Sequence, residues 1–223
     1  MKYVFQFGIV ADHAPLLLNG AWNTLWMTSV GTIGGLALAI ICVFLGATGS
    51  RLVRFIVETY VEIIRNTPFL VQLFVLYFSL PAIGLRLSAD QAAVIGLSIS
   101  FGGYATEILR SGIEAVHRGQ IEAGRSLGLK RVAIFRHIVL YQAIKIVYPA
   151  LSSQIIILLL GSSVVSAISA TELTAISNSL QSQTFRSFEF YFIAAGIYLS
   201  TAIILKSFLN TLYWLYFVRG KAN

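Results

Sequence analysis

The 223 residues are 57% hydrophobic and only 11% charged, whereas an ordinary soluble domain carries about 25% charged residues. A soluble core cannot hide that much apolar side chain, so an all-α membrane protein is expected, forming one transmembrane domain over residues 1–223 with room for about four to six crossings of roughly 20 residues. The net charge of +7 would suggest nucleic acid in a soluble protein, but in a membrane protein orientation and anionic lipid account for it first, and no nucleic-acid partner is expected.

The N-terminal stretch has a broken apolar run and no small-residue cleavage pattern, so it is not read as a removed signal peptide. Residues 22–45 form the first predicted span, with Gly31, Gly34 and Gly35 allowing a neighbouring helix to approach closely. Cys42, the only cysteine, falls in this run and is expected to be a buried thiol; one cysteine excludes an internal disulfide or a zinc cluster. The second predicted span, 55–80, is apolar after Pro68 but carries Glu58, Glu62 and Arg65 in its first half, which must face protein or water and are expected to pair with one another at helical spacing. Residues 88–109 give a third span containing Gly96, Gly102 and Gly103, with Glu107 and Arg110 at its end expected as structural or gating contacts near the loop and not as substrate ligands. Residues 149–168 give a fourth, and 191–216 a fifth, closed by Tyr213, Trp214, Tyr216 and Phe217 at a membrane interface.

Five spans put the termini on opposite sides. Outside the spans, Arg51, Arg54, Arg110, Arg118, Arg125, Lys130, Arg131, Arg136, Lys145, Arg219 and Lys221 collect on one side, against Lys2, Arg86 and Arg186 on the other, a ratio of 11 to 3. The positive-inside rule then predicts the N-terminus outside and the C-terminus inside. The basic stretch 110–147 is accordingly a cytoplasmic loop. Its pattern predicts a short amphipathic helix over 121–127, a stop at Gly128 and a second helical piece over 132–147 returning to the membrane.

Within that loop, Glu122, Ala123 and Gly124, then Gly128, then Ile138 and Leu140, resemble the EAA loop of ABC importer permeases. The segments RNTPFLVQLFVLYFSLP (65–81), GGYATEILRSGIEAVHRGQ (102–120) and TFRSFEFYFIAAGIYL (184–199) are similar to the polar amino acid uptake branch, the histidine, glutamine and arginine permease group. Gly124 stands where a second alanine is common, and Tyr141 where a proline is common. The resemblance implies a type I importer permease fold in a bacterial cytoplasmic membrane, translocating polar L-amino acids by alternating access. It implies further a second permease subunit, identical or homologous, a cytoplasmic ATPase dimer and an extracytoplasmic amino-acid-binding protein. The helix bearing Glu122, Ala123, Gly124 and Gly128 would dock in a groove of the ATPase; the alternative from spacing alone is a solvated surface helix that only fixes topology.

A polar amino acid needs groups for its ammonium, carboxylate and side chain in a cavity shielded from lipid. Asn66, Thr67 and Gln72 around Pro68 are candidate path residues, since the proline interrupts helical bonding and can bare backbone carbonyls; a simple packing kink is the alternative. Ser162, Ser163 and Ser166 are the other candidates, unless their hydroxyls bond to their own backbone. Many relatives have a lysine and an acid where this chain has Leu160 and Gly161. Glu172 is expected to be an exposed loop acid, with a contact to the binding protein or to a cationic solute as the alternative.

No catalytic constellation and no metal site is expected, because His13, His117 and His137 are scattered along the chain. No GxxxxGK[ST] phosphate loop is present, so ATP and magnesium belong on the partner ATPase and this chain binds no cofactor. An ion-coupled secondary transporter would need paired repeats and a coupling-ion site, and a membrane-embedded enzyme would need clustered His, Asp or Glu at one depth; neither pattern is found.

Overall fold

The computed structural model describes residues 4–219, so Lys2 and Lys221 of the charge count lie outside the described residues. A short helix α1 (Phe7–Asp12) precedes α2 (Ala14–Thr48). Pro15 lies in the first turn of α2, where a missing backbone N–H costs nothing. Ser50 caps α3 (Arg51–Asn66) by accepting from the Val53 amide. Pro68 then ends α3, since a proline disfavours helical backbone in the residue before it, and Thr67 is extended at φ −115° and ψ 141°. The chain resumes as α4 (Phe69–Phe74), which continues through a π turn and a 3₁₀ turn to Ile83.

A capping box formed by Ser88 and Gln91 opens α5 (Ala89–Glu114). Beyond it come α6 (Arg118–Ser126) and α7 (Arg131–Ile134), which passes through a π turn into α8 (Leu140–Gly161). A 3₁₀ stretch, Ser162–Ile168, leads to α9 (Leu173–Thr184) and finally to α10 (Ser187–Tyr213) with its terminal π turn. Every element of the described residues is helical.

Four continuous stretches are long and apolar enough to cross a membrane: Ala14–Thr48, Ala89–Glu114, Arg131–Ile168 and Ser187–Val218. The pair formed by Arg51–Asn66 and Phe69–Ile83 is bent by 112° and corresponds to the second predicted span, 55–80, which brings the number to five when the pair is taken as one span. Three boundaries differ from the sequence reading. The fourth helix begins well before Pro149, which lies inside α8; the apolar residues preceding it keep the helical period, and neighbouring helices can re-satisfy backbone freed by an intramembrane proline. The stretch 110–147 is mostly helical continuation of α5 and α8, so the connection between them is confined to 115–130. Helix α9 went unpredicted, and with it Glu172 is corrected. That residue is fully buried and caps α9, its carboxylate accepting from the Thr174 and Ala175 amides at 2.8 and 2.7 Å.

Helix α5 is the centre of the molecule. Ala92, Ala93, Leu97, Phe101 and Ala105 are buried against Met27 and Ala39 of α2, Leu73 of α4 and Leu158 of α8. A second apolar cluster joins Val10 and Leu17 to Leu173, Leu180, Phe190 and Ala194 at the other end. Cys42 is buried and unpaired, as expected.

Candidate functional site

The break at Pro68 is built for more than a change of direction. Helix ends leave carbonyls without partners, and here the Gln72 side chain reaches back to supply donors. Its Nε2 lies 2.9 Å from the Ile64 carbonyl and 3.0 Å from both the carbonyl and the hydroxyl of Thr67. Thr67 itself donates to the Ile63 carbonyl at 2.7 Å, and Asn66 to that of Glu62 at 2.8 Å. The carbonyls bared by the proline are therefore largely taken up by local side chains. What remains open is Gln72 Oε1, which is buried and has no hydrogen-bond partner among the described residues.

Next to this break is a cavity of about 330 Å³, bounded by Ile64, Thr67, Phe69 and Gln72 on the broken span, Leu97, Ser100 and Tyr104 on α5, and Gln154, Ile157, Leu158 and Gly161 on α8. Its size falls in the range of small-ligand sites, and its plan of apolar walls with a few directed polar groups is the usual one for such sites. Thr67 and Gln72 of the sequence candidates meet here. Asn66 is exposed and faces its own helix turn, away from the cavity lining.

Ser162, Ser163 and Ser166 donate to the carbonyls three residues before them, at 2.6, 2.8 and 2.7 Å, so their hydroxyls are spent on the backbone of the preceding turn. Ser100, Tyr104 and Gln154 line the cavity but were missed in the sequence. Gln154 had a readable signal, as the one side-chain amide in the predicted span 149–168, and a polar group at membrane depth marks function by default. Ser100 and Tyr104 carried no such signal.

Arg65 does not pair with Glu58 or Glu62 as expected. Its Nη1 approaches Glu107 Oε1 at 3.9 Å, on the helix α5 against which α3 packs. Glu107 is in turn gripped by Arg110 at 3.2 and 2.7 Å, and Arg110 also bonds Glu114 at 3.1 Å.

At the far end of α5, α6 is braced by a small apolar cluster of Val116, Ile134, Val139 and Ala143, with Ile121 packed against it. Glu122 and Ala123 are exposed on the opposite side, and Gly124 is buried. Gly128, at φ +74°, ends the helix: its amide bonds the Arg125 carbonyl at 2.9 Å, and the Leu129 amide bonds that of Gly124 at 3.1 Å, the Schellman pairing that a left-handed residue permits. Leu127 and Val132 beside this turn are 80% and 77% exposed, leaving apolar surface for a partner.

A methyl group at Gly124 would meet Ile138 Cδ1 and Ile134 Cγ1, at 2.8 and 3.1 Å. Both are side-chain atoms, the nearer of them the terminal Cδ1 of Ile138, which can shift, and alanine favours a helix over glycine by about 1 kcal/mol. Gly124→Ala is therefore expected to change stability by less than about 1 kcal/mol, as thermal unfolding in detergent will register.

Among the described residues no group of three or more His, Cys, Asp or Glu is arranged to hold a metal ion. The family model for the inner membrane component of binding-protein-dependent transport systems matches residues 31–213. The glutamine transport system permease protein GlnP of Escherichia coli (strain K12) is 32% identical over 210 residues, covering 93% of this chain and 96% of that protein. The probable glutamine ABC transporter permease protein GlnM of Bacillus subtilis (strain 168) is 34% identical over 204 residues, covering 92% and 94%. Among solved structures, an amino acid ABC transporter crystallised with histidines superimposes with a TM-score of 0.89 at 33% identity, over 95% of this chain and 99% of that one. The inward-facing MetNI methionine ABC transporter superimposes with a TM-score of 0.73 at 21% identity, over 91% and 96%, and shows the shared fold.

Proposed function

The chain belongs to the family of inner membrane components of binding-protein-dependent transport systems, and on that premise we propose how it works as an amino-acid permease of an ABC importer. The observation that carries the reading is the cavity at the break in the second span, where hydroxyl and amide groups converge inside an otherwise apolar body. Thr67, Gln72, Ser100, Tyr104 and Gln154 hold a polar L-amino acid there. Opening and closing of the path around Pro68 alternates its access between the two sides of the membrane. The basic connection 115–130 lies in the cytoplasm, which puts the N-terminus outside.

ATP and its magnesium are bound by a separate ATPase dimer. That dimer takes α6 into a groove through Glu122, Ala123 and the apolar turn around Gly128, while Gly124 keeps α6 close to α7. Because α5 runs unbroken from the cavity wall at Ser100 to the α6 connection, movement of α6 is transmitted along a rigid rod to the substrate. A second permease subunit completes the membrane assembly, and an extracytoplasmic binding protein delivers the solute.

Reconstituted vesicles test this. With an ATPase subunit and a binding protein supplied, uptake of a polar L-amino acid is expected to require ATP, and Glu122→Lys is expected to lower uptake at least about ten-fold, the loss of one charge-assisted contact, while insertion persists. Uptake that continues without ATP on a sodium or proton gradient would instead identify an ion-coupled carrier.

A further inference from the structure

An amino acid enters a membrane cavity with two backbone charges, and each needs a counter-charge or a strong hydrogen bond to leave water. The cavity wall offers neither a carboxylate nor a cation: its polar members are Thr67, Gln72, Ser100, Tyr104 and Gln154. Gly161 leaves its part of the wall bare, with no atom within 4 Å of where a Cβ would point.

The charges are one helical step away. On α5 the lining residues Leu97, Ser100 and Tyr104 are spaced three and four apart, and three residues further on the same stripe stands Glu107. On α3, Arg65 lies between the lining residues Ile64 and Thr67, with the Tyr104 hydroxyl 3.5 Å from its carbonyl oxygen. The two side chains face each other at 3.9 Å and stay 44% and 30% exposed. Contact this loose and this wet adds little to stability. It does leave donors of Arg65 uncommitted, while Arg110 fixes the Glu107 carboxylate in place through both of its oxygens.

We propose that Arg65 and Glu107 bind the α-carboxylate and the α-ammonium of the transported amino acid at the mouth of the cavity, and that the uncharged cavity receives a neutral side chain. This rests on the amino-acid permease reading above. The guanidinium fork matches a carboxylate through two parallel bonds, and Glu107 supplies the single negative charge that an ammonium requires. A zwitterion held between them replaces the loose ion pair by two strong ones. It also ties the end of α3 to α5, the helix that leads to α6.

The test uses the assembled permease–ATPase complex in detergent and three ligands: L-glutamine, 4-aminobutanamide, which lacks the carboxylate, and 4-carbamoylbutanoate, which lacks the ammonium. The parent complex is expected to bind glutamine at least about ten-fold more tightly than either analogue, the worth of one charged hydrogen bond. Arg65→Gln is expected to abolish the preference over 4-aminobutanamide alone, and Glu107→Gln the preference over 4-carbamoylbutanoate alone. If a neutral variant fails to assemble, Arg65→Lys and Glu107→Asp take its place, and each is expected to shrink the same single preference, since the charge is kept but its reach or fork is changed. Equal weakening of all three ligands would reduce the pair to a structural latch and overturn the proposal, as would unchanged glutamine preference. A parent complex that imports no amino acid in vesicles would defeat the permease reading instead.

Discussion

Replacing Gly35 by alanine is expected to destabilise the chain by about 2–3 kcal/mol, while the same change at Gly46 of the same helix is neutral or stabilising by up to about 1 kcal/mol. A Cβ at Gly35 would stand 2.6 Å from the Ser98 carbonyl oxygen and 2.9 Å from both the Gly102 amide nitrogen and Phe101 Cδ1. Two of those three atoms are backbone, so no rotamer change relieves the overlap and α2 must move away from α5. Their pairing is the most extensive in the molecule, and Met27 and Ala39 would lose contact with Leu97 and Phe101 along with it. The penalty is repulsion and lost packing, not exposure to water, because lipid is as apolar as the side chains it replaces. At Gly46 nothing lies within 4 Å, so an added methyl only improves helix propensity. Thermal unfolding of the two variants in detergent decides the matter; equal midpoints would show that α2 and α5 do not cross in this way.

That crossing was legible in the sequence, since glycines at 31, 34 and 35 in an apolar run announce close approach of another helix. The five spans were readable for the same kind of reason: roughly 20 apolar residues admit few alternatives in a bilayer. What the sequence concealed depends on partners distant along the chain. Arg65 had two acids at helical spacing on its own helix, yet the packing of α3 on α5 gives it Glu107, and no local rule anticipates a pair 42 positions apart. The candidate cavity was half visible. Thr67 and Gln72 flank a proline, which is a local signal, whereas Ser100 and Tyr104 become polar lining only once α5 is turned toward the break. The serines of 162–166 misled because composition does not reveal whether a hydroxyl already has its partner in the preceding turn.

Glu172 is the largest such concealment, and its replacement has the largest predicted effect. In the sequence it is an acid beside a serine-rich stretch; in the fold it is fully buried and holds four donors or hydroxyls around one carboxylate. The Thr174 and Ala175 amides at the start of α9 bond it, and the Tyr198 hydroxyl of α10 donates at 2.5 Å. Leu173, the next residue, is tied to Thr24 of α2 at 3.2 Å, and Thr171, the preceding one, to Asp90 of α5 at 2.8 Å. The turn thus joins α2, α5, α9 and α10. Glu172→Ala leaves the Thr174 and Ala175 amides without their carboxylate, leaves the Tyr198 hydroxyl only the Thr174 hydroxyl at 3.0 Å, and removes the helix cap, at a cost of about 2–4 kcal/mol. Glu172→Gln keeps one acceptor and the shape, and costs about 1–2 kcal/mol. The pH dependence separates charge from shape. Burial pushes the Glu172 carboxyl above its ordinary value of 4.5, against the hydrogen bonds from Tyr198, Thr174 and Ala175 that lower it. A carboxyl whose pKa is higher folded than unfolded holds its proton in the folded state after the unfolded chain has released it. Its contribution is fully present below the ordinary value and is lost as pH rises through the folded one. The parent should therefore lose part of its thermal stability on going from the ordinary carboxylate range toward neutral pH, and Glu172→Gln should lack that part of the slope. Identical slopes in the two proteins would mean that Glu172 is ionised throughout and caps α9 as a plain carboxylate.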